Sequence, residues 1–162
     1  MIKTYISLIL FCTITIQLKA QKNINLIISI DEKIVAGSLS NLRLIYTSER
    51  NTEESVKADY YPGNLSLNQN DYDMLLGNNL KTIYLAFTYN EYCKNKLHSY
   101  SYKIDLNNKW LENYYFVLYI FNTNKSKYKE IYSPIKGTTY TYEYDYPGGS
   151  VKRVKKNKNG CD

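Results

Sequence analysis

Between Leu80 and Tyr146 apolar and polar residues alternate one by one in three separate runs. A period of two is the spacing of strands with one buried face. In residues 80–89 the set Ile83, Leu85, Phe87 and Tyr89 falls on one side. Tyr100, Tyr102, Ile104 and Leu106 repeat the pattern until Asn107-Asn108 stops it. Tyr140, Tyr142 and Tyr144 then alternate with Thr141, Glu143 and Asp145, before Pro147-Gly148-Gly149 forces a turn. Earlier stretches have the same character: residues 24–31, the set Leu42, Leu44 and Tyr46 with Arg43 facing the other way, and Val56–Tyr61 ended by Pro62-Gly63. Residues 114–121 (YYFVLYIF) are apolar throughout, as expected of a central strand covered on both faces. Residues 128–132 read as a short edge strand before Pro134, and only residues 70–77 (NDYDMLLG) read as helix, capped by Asn70 or Asp71 and ended by Gly77.

Parallel strands need long crossover connections, and the chain shows no crossover helices to supply them, so the expected pairing is antiparallel. The fold class is therefore all-β: an antiparallel β-sandwich, immunoglobulin-like or transthyretin-like, of about seven strands. A small β-barrel is the alternative. No internal repeat divides the chain.

The first twenty residues do not belong to that pattern. Lys3 supplies a positive start, Ile6–Ile16 an apolar run, and Leu18-Lys19-Ala20 a small residue before a scissile bond, which together make a secretory signal with Gln21 as the new N-terminus. The apolar run falls short of the roughly 20 residues a bilayer span needs, and no later segment is long enough either, so no transmembrane segment is expected after cleavage. A lipid anchor on Cys12 would meet bulky Phe11 where a small residue is required. The expected organisation is a signal peptide over 1–20, a sandwich domain over 21–150 and a basic tail over 151–162. The setting is periplasmic or extracellular.

Charge is confined to the end of the chain. The formal charge of +6 loses Lys3 and Lys19 with the signal. The remainder resides in Lys152, Arg153, Lys155, Lys156 and Lys158 against Asp162, which leaves residues 21–146 neutral. A nucleic-acid binder spreads a basic stripe over a folded face, so no nucleic-acid partner is expected, and the tail reads as a solvated end.

Catalytic chemistry is sparse. His98 is the only histidine, which excludes multi-histidine metal sites, and no phosphate loop, dinucleotide fingerprint or nucleophile elbow occurs. His98 reads as an exposed residue in a polar turn. Glu143 and Asp145 share one strand face as solvent-facing acids, and Asp71 and Asp73 read as helix-capping residues and not a calcium loop. No cofactor and no metal are expected, and the chain is read as a non-enzyme; an unrecognised hydrolase is the enzymatic alternative.

The aromatic inventory is the one candidate site. Eighteen of the 19 tyrosines remain once Tyr5 leaves with the signal. Tyr100, Tyr102, Tyr140, Tyr142, Tyr144 and Trp110 are the candidate binding residues. Exposed, they would stack on glycan rings or fill a protein interface; buried, they are core with hydroxyls seeking partners at its rim, and that second arrangement is the expected one. Cys93 lies close to His98, a spacing that suggests a thiol with its base. Export favours instead a disulfide between Cys93 and Cys161, the two cysteines left once Cys12 is removed. That bond needs Cα atoms about 4.4–6.8 Å apart and would contribute on the order of 4 kcal/mol.

The stretch from Trp110 to Ser150 (WLENYYFVLYIFN, then YSPIKGTTYTYEYDYPGGS) resembles the C-terminal part of small secreted proteins of unknown function from Bacteroidota. The resemblance covers the last third of the chain and implies a bacterial periplasmic or extracellular setting, with no activity attached. The expected function is an exported, non-enzymatic binding module whose partner is a protein or a glycan. The rivals are a glycan-binding module, which needs a planar row of exposed tyrosines, and an inhibitor or immunity-type protein, which needs a protruding loop or an exposed edge strand.

Overall fold

Strands form wherever the sequence alternates, and further short ones appear between them. The computed structural model describes residues 20–156 apart from Ser38, Asn78 and Val154. The signal segment up to Lys19 and the Cys161 half of the expected disulfide lie outside the described residues. Among the described residues twelve strands run in order: β1 (Gln21–Ile24), β2 (Leu26–Ile30), β3 (Lys33–Ile34), β4 (Leu39–Ser48), β5 (Glu53–Lys57), β6 (Asp59–Tyr61), β7 (Asn64–Asn68), β8 (Leu80–Cys93), β9 (Lys96–Leu106), β10 (Phe116–Asn122), β11 (Tyr140–Tyr146) and β12 (Gly149–Val151). Helix α1 (Gln69–Leu75) precedes β8, a 3-10 turn (Asn108–Glu112) precedes β10, and the one-turn helix α2 (Ser126–Lys129) follows it.

The strands make a sandwich. One sheet has the order β12-β11-β10-β2-β3, the facing sheet β5-β4-β8-β9, and a small third sheet β1-β7-β6 closes one side; none of the three closes into a barrel. Between them lie Leu26, Ile28, Leu44, Leu85, Ile104, Leu118 and Ile120, all fully buried, as one hydrophobic core. As expected, β10 is central, flanked by β11 and β2.

Several expectations are corrected. The run 24–31 is broken at Asn25, so that β1 joins the small sheet while β2 enters the large one. The run 56–61 likewise breaks at buried Ala58, which sends β5 and β6 to different sheets. These breaks raise the strand count above seven. Pairing is not wholly antiparallel: β2 lies parallel to β10, with Leu26 opposite Phe116. The connection that a parallel pair needs is supplied by the whole facing sheet instead of a crossover helix. Residues 128–132 are no edge strand; Tyr128 ends up buried on α2 and, with Tyr132 four residues on, packs against Phe121. Helix α1 is capped by Asn68, whose side chain accepts from the Asn70 N–H at 2.9 Å.

The start of the basic tail is not a free end. Lys152 reaches Asp145 at 2.8 Å and Glu143 at 3.7 Å. The Arg153 N–H donates to Glu143 at 3.1 Å and its Nε to the Tyr142 carbonyl at 3.2 Å, while the Lys156 N–H donates to the Ile131 carbonyl. Glu143 is therefore buried beneath the tail and not solvent-facing.

Tyrosine hydroxyls join the two large sheets. In β9, at the edge of its sheet, the backbone groups of Lys103 and Asp105 have, among the described residues, no neighbouring strand on their outer side. The Tyr140 hydroxyl accepts from the Lys103 N–H at 2.8 Å and donates to the Lys103 carbonyl at 2.9 Å. Tyr142 accepts from the Asp105 N–H at 3.2 Å, and Tyr144 donates to the Asp105 carbonyl at 2.6 Å. Tyr60 does the same for the Ile28 N–H of β2 at 3.0 Å. Tyr140 and Tyr142, two apart on β11, thus meet Lys103 and Asp105, two apart on β9, and Tyr144 shares Asp105 with Tyr142.

Two outcomes follow for stability. Tyr140→Phe keeps the ring and strips Lys103 of two partners, so it should cost about 1–2 kcal/mol in urea unfolding and speed hydrogen exchange at the Lys103 amide. An unchanged midpoint with unchanged exchange would mean the bonds carry no weight. The alkaline limit is also set by tyrosine. The hydrogen bond to the Glu54 carboxylate, together with burial, pushes the Tyr46 hydroxyl up to about 12, and burial raises Tyr102, Tyr140, Tyr142 and Tyr144 above the ordinary value. Each folded-state value lies above the ~10 of an unfolded tyrosine. Each contribution is then complete below pH about 10 and is lost as pH rises through the folded-state value. Near-UV circular dichroism should show unfolding starting above pH about 10, with phenolate absorbance of the buried set rising in step. Full ionisation of these tyrosines in a chain that stays folded would contradict this.

Candidate functional site

The structure places the candidate aromatic residues in the core. Tyr102, Tyr140, Tyr142 and Tyr144 are buried, with Tyr102 and Tyr140 edge to face at 4.9 Å and Tyr142 and Tyr144 at 5.4 Å. Trp110 plugs one end of the sandwich against Tyr144 (4.6 Å) and Tyr146 (5.7 Å). Only Tyr100 is partly open among the tyrosines of the set, and it stacks beside His98 at 6.5 Å. Rings packed this way offer no flat row to a sugar. Glu143 and Asp145 share Lys152 between them, Asp73 accepts from the Gln69 side chain, and among the described residues no three His, Cys, Asp or Glu side chains form a metal-holding group.

What stands clear of the body is the end of the β8–β9 hairpin. Strand β4 pairs with β8 only as far as Leu39 opposite Tyr89, yet β8 and β9 stay paired to Cys93 opposite Lys96. Residues 90–99 therefore form a ribbon that, among the described residues, has no third strand. Lys94 and Asn95 turn it with φ of 49° and 62°, the left-handed pair whose twist suits a two-residue hairpin. His98 is thus part of a strand, not of the turn, and lies opposite Glu91.

The two faces of the ribbon differ. On one, Tyr92 and Leu97 sit directly opposite each other and are 78% and 53% exposed. On the other are Glu91, exposed Cys93 and exposed His98. An isolated two-stranded hairpin is marginally stable in water, so the base must hold it. Ser99 donates to the Asn90 side chain at 2.7 Å across the strands. Glu91 lies 3.8 Å from both Lys33 and Lys125, and Lys125 continues to Asp31 at 2.6 Å. Asp31, its side chain only 10% exposed, also accepts from the Asn122 N–H at 2.8 Å. Burial pulls the Lys125 ammonium down, but the hydrogen bond and charge of Asp31 and the charge of Glu91 outweigh it and raise its pKa. This chain of charges ties the ribbon to the end of the larger sheet.

Comparison of the chain with protein-family models, with curated proteins and with solved structures finds no match in any of the three. Function has to be read from the geometry.

Sequence reasoning missed the ribbon, although a signal existed. The inward set of β8 ends at Tyr89, but Tyr92 and Leu97 stand at equal distances from Lys94-Asn95, where a two-residue turn sets them opposite each other.

Asp31→Asn should weaken the base of the ribbon by leaving Lys125 without its closest carboxylate. The expected loss is about 1–3 kcal/mol in urea unfolding, the range for a hydrogen bond to a charged group. Amide exchange between Asn90 and Ser99 should quicken. Unaltered exchange there would show that Asp31 does not anchor the ribbon.

Proposed function

We propose that this chain is an exported, non-enzymatic interaction module that grips a protein partner with the Asn90–Ser99 ribbon. The observation that carries the reading is the Tyr92–Leu97 pair, an apolar couple held in solvent on an arm supported only at its base. A tyrosine at such a position supplies large contact area at low entropic cost, and aromatic anchors dominate protein interfaces. The signal-like start of the sequence supports export. A glycan platform is less well supported, because the most exposed tyrosines are scattered over Tyr61, Tyr92 and Tyr114. Tyr114 and Tyr115, both exposed and adjacent in sequence, stand edge on at 81°.

Insertion of the ribbon into a partner's cleft, as an inhibitor or immunity-type protein would do, is the specific form of this reading that a narrow two-stranded arm favours. The test is site-specific photo-crosslinking in the native envelope with the probe at position 92, and at position 61 as an equally exposed control. One discrete protein should be captured from position 92 only, and Leu97→Asp should abolish that capture without shifting the thermal midpoint. The same capture from both positions, or capture indifferent to Leu97→Asp, would falsify the reading.

A further inference from the structure

A second surface lies on the outer face of the β5-β4-β8-β9 sheet, where one row of side chains crosses all four strands. Lys57 on β5 is opposite Arg43 on β4, Arg43 is opposite Ala86 on β8, and Ala86 is opposite Lys103 on β9. Three of the four positions are cationic, in a body whose formal charge from Gln21 to Tyr146 is zero. Lys103 is committed: its ammonium lies 3.4 Å from Glu53 and 4.5 Å from the centre of the Tyr84 ring. Arg43 and Lys57 form no ion pair among the described residues. Like charges directly opposite one another on paired strands destabilise a sheet. An anion between them reverses the sign of that term.

The backbone around Arg43 departs from regular pairing. The β4–β8 register shifts between Ser40 and Arg43, and Asn41 has φ of 54°. A bulge of this kind re-aims the side chains beside it. Arg43 is left on the divide between two hollows. One, of about 680 Å³, has Ile45 and Ala86 among its apolar lining and Thr88, Ser101 and Thr138 among its hydroxyls. The other, of about 470 Å³, is lined by Ser55, Lys57, Asp59 and Tyr60 as well as Arg43.

We propose that this face binds a carboxylate-rich peptide segment, with Arg43 and Lys57 as the residues that contact its acids. A guanidinium presents a planar fork that matches a carboxylate, while a lysine acts as a point charge beside it. An extended peptide repeats side chains on one face about every 7 Å while adjacent strands lie about 4.8 Å apart, a difference within the reach of the long Arg43 and Lys57 side chains. An acidic sugar finds less here, because a pyranose needs a free aromatic face. Tyr102 and Tyr140 pack on each other, and the Lys103 ammonium covers Tyr84. Asp59 lines the second hollow without pairing to either cation, so it opposes an anionic ligand.

The experiment is titration calorimetry of the full mature chain with a hexaglutamate peptide, against hexalysine and trigalacturonate. Hexaglutamate should bind, and more weakly as salt is raised. Arg43→Ala should weaken binding roughly tenfold, in keeping with loss of a charge-assisted hydrogen bond. Asp59→Asn should tighten it. That gain decides the matter even if Arg43→Ala disturbs the fold, since a merely structural role gives no reason for it. Tyr92→Ala should leave hexaglutamate binding unchanged, which separates this surface from the ribbon. Absence of hexaglutamate binding, indifference to Arg43→Ala in a folded chain, or no gain from Asp59→Asn overturns the proposal. Tighter binding of trigalacturonate than of hexaglutamate overturns the peptide assignment.

Discussion

A sheet edge carries backbone donors and acceptors that must be met by something, and here tyrosine hydroxyls meet them. The bonds from Tyr140, Tyr142 and Tyr144 to Lys103 and Asp105 turn two stacked sheets into one structure with a fixed offset. A slip of one residue along β11 would point those rings to the far face, and Thr141 and Glu143 would enter the core in their place. Burial fixes which face of β11 turns inward, and the hydroxyl bonds add a directional match to β9. The abundance of tyrosine has a physical use at these positions.

Where the hydroxyl contacts end, the character of β9 changes. From Lys103 onward the strand is locked between β8 and the β11 side chains, and before Tyr100 it stands out from the sandwich with β8 as its sole strand partner among the described residues. Stability and exposure are thus distributed along one hairpin. Its lower half is core, its middle is tied down through Glu91, Lys125 and Asp31, and its tip holds Tyr92 and Leu97 in water. The face with Tyr92 and Leu97 also runs on without interruption into the face with Lys103 and Ala86, because alternate residues of one strand share a side.

Much of this was legible in the sequence, and the remainder failed for identifiable reasons. Alternation located β8, β9 and β11, and an unbroken apolar run located β10 as the covered central strand. Alternation assigns side chains to faces, however, and does not tell how deep each face lies. On β11 the tyrosines are buried against the opposite sheet, and Thr141 and Glu143 are buried too, under the returning tail. Tyr128 and Tyr132 stand four apart, the spacing of one helical face, and were open to a helical reading that the short run obscured. The parallel partnership of β2 and β10 left no local trace, since neither strand's sequence specifies its neighbour. For the sites, the tyrosine ladder was visible as a pattern but its role as an edge cap required knowing what lay across the core. The cationic row needed β4 and β5 brought side by side before Arg43 could be seen opposite Lys57.

The parallel pair also dictates an order of events as the chain folds. Leu26, near the start, finds its partner at Phe116, so the five-stranded sheet cannot close until most of the chain is available. The β11 strand that seats the hydroxyls comes later still. Contacts of such long sequence separation slow folding, because loop-closure entropy is spent before the contacts return it. Until β10 arrives, β2 is therefore paired within its sheet only to the adjacent β3, and the larger sheet is completed from the C-terminal half of the chain.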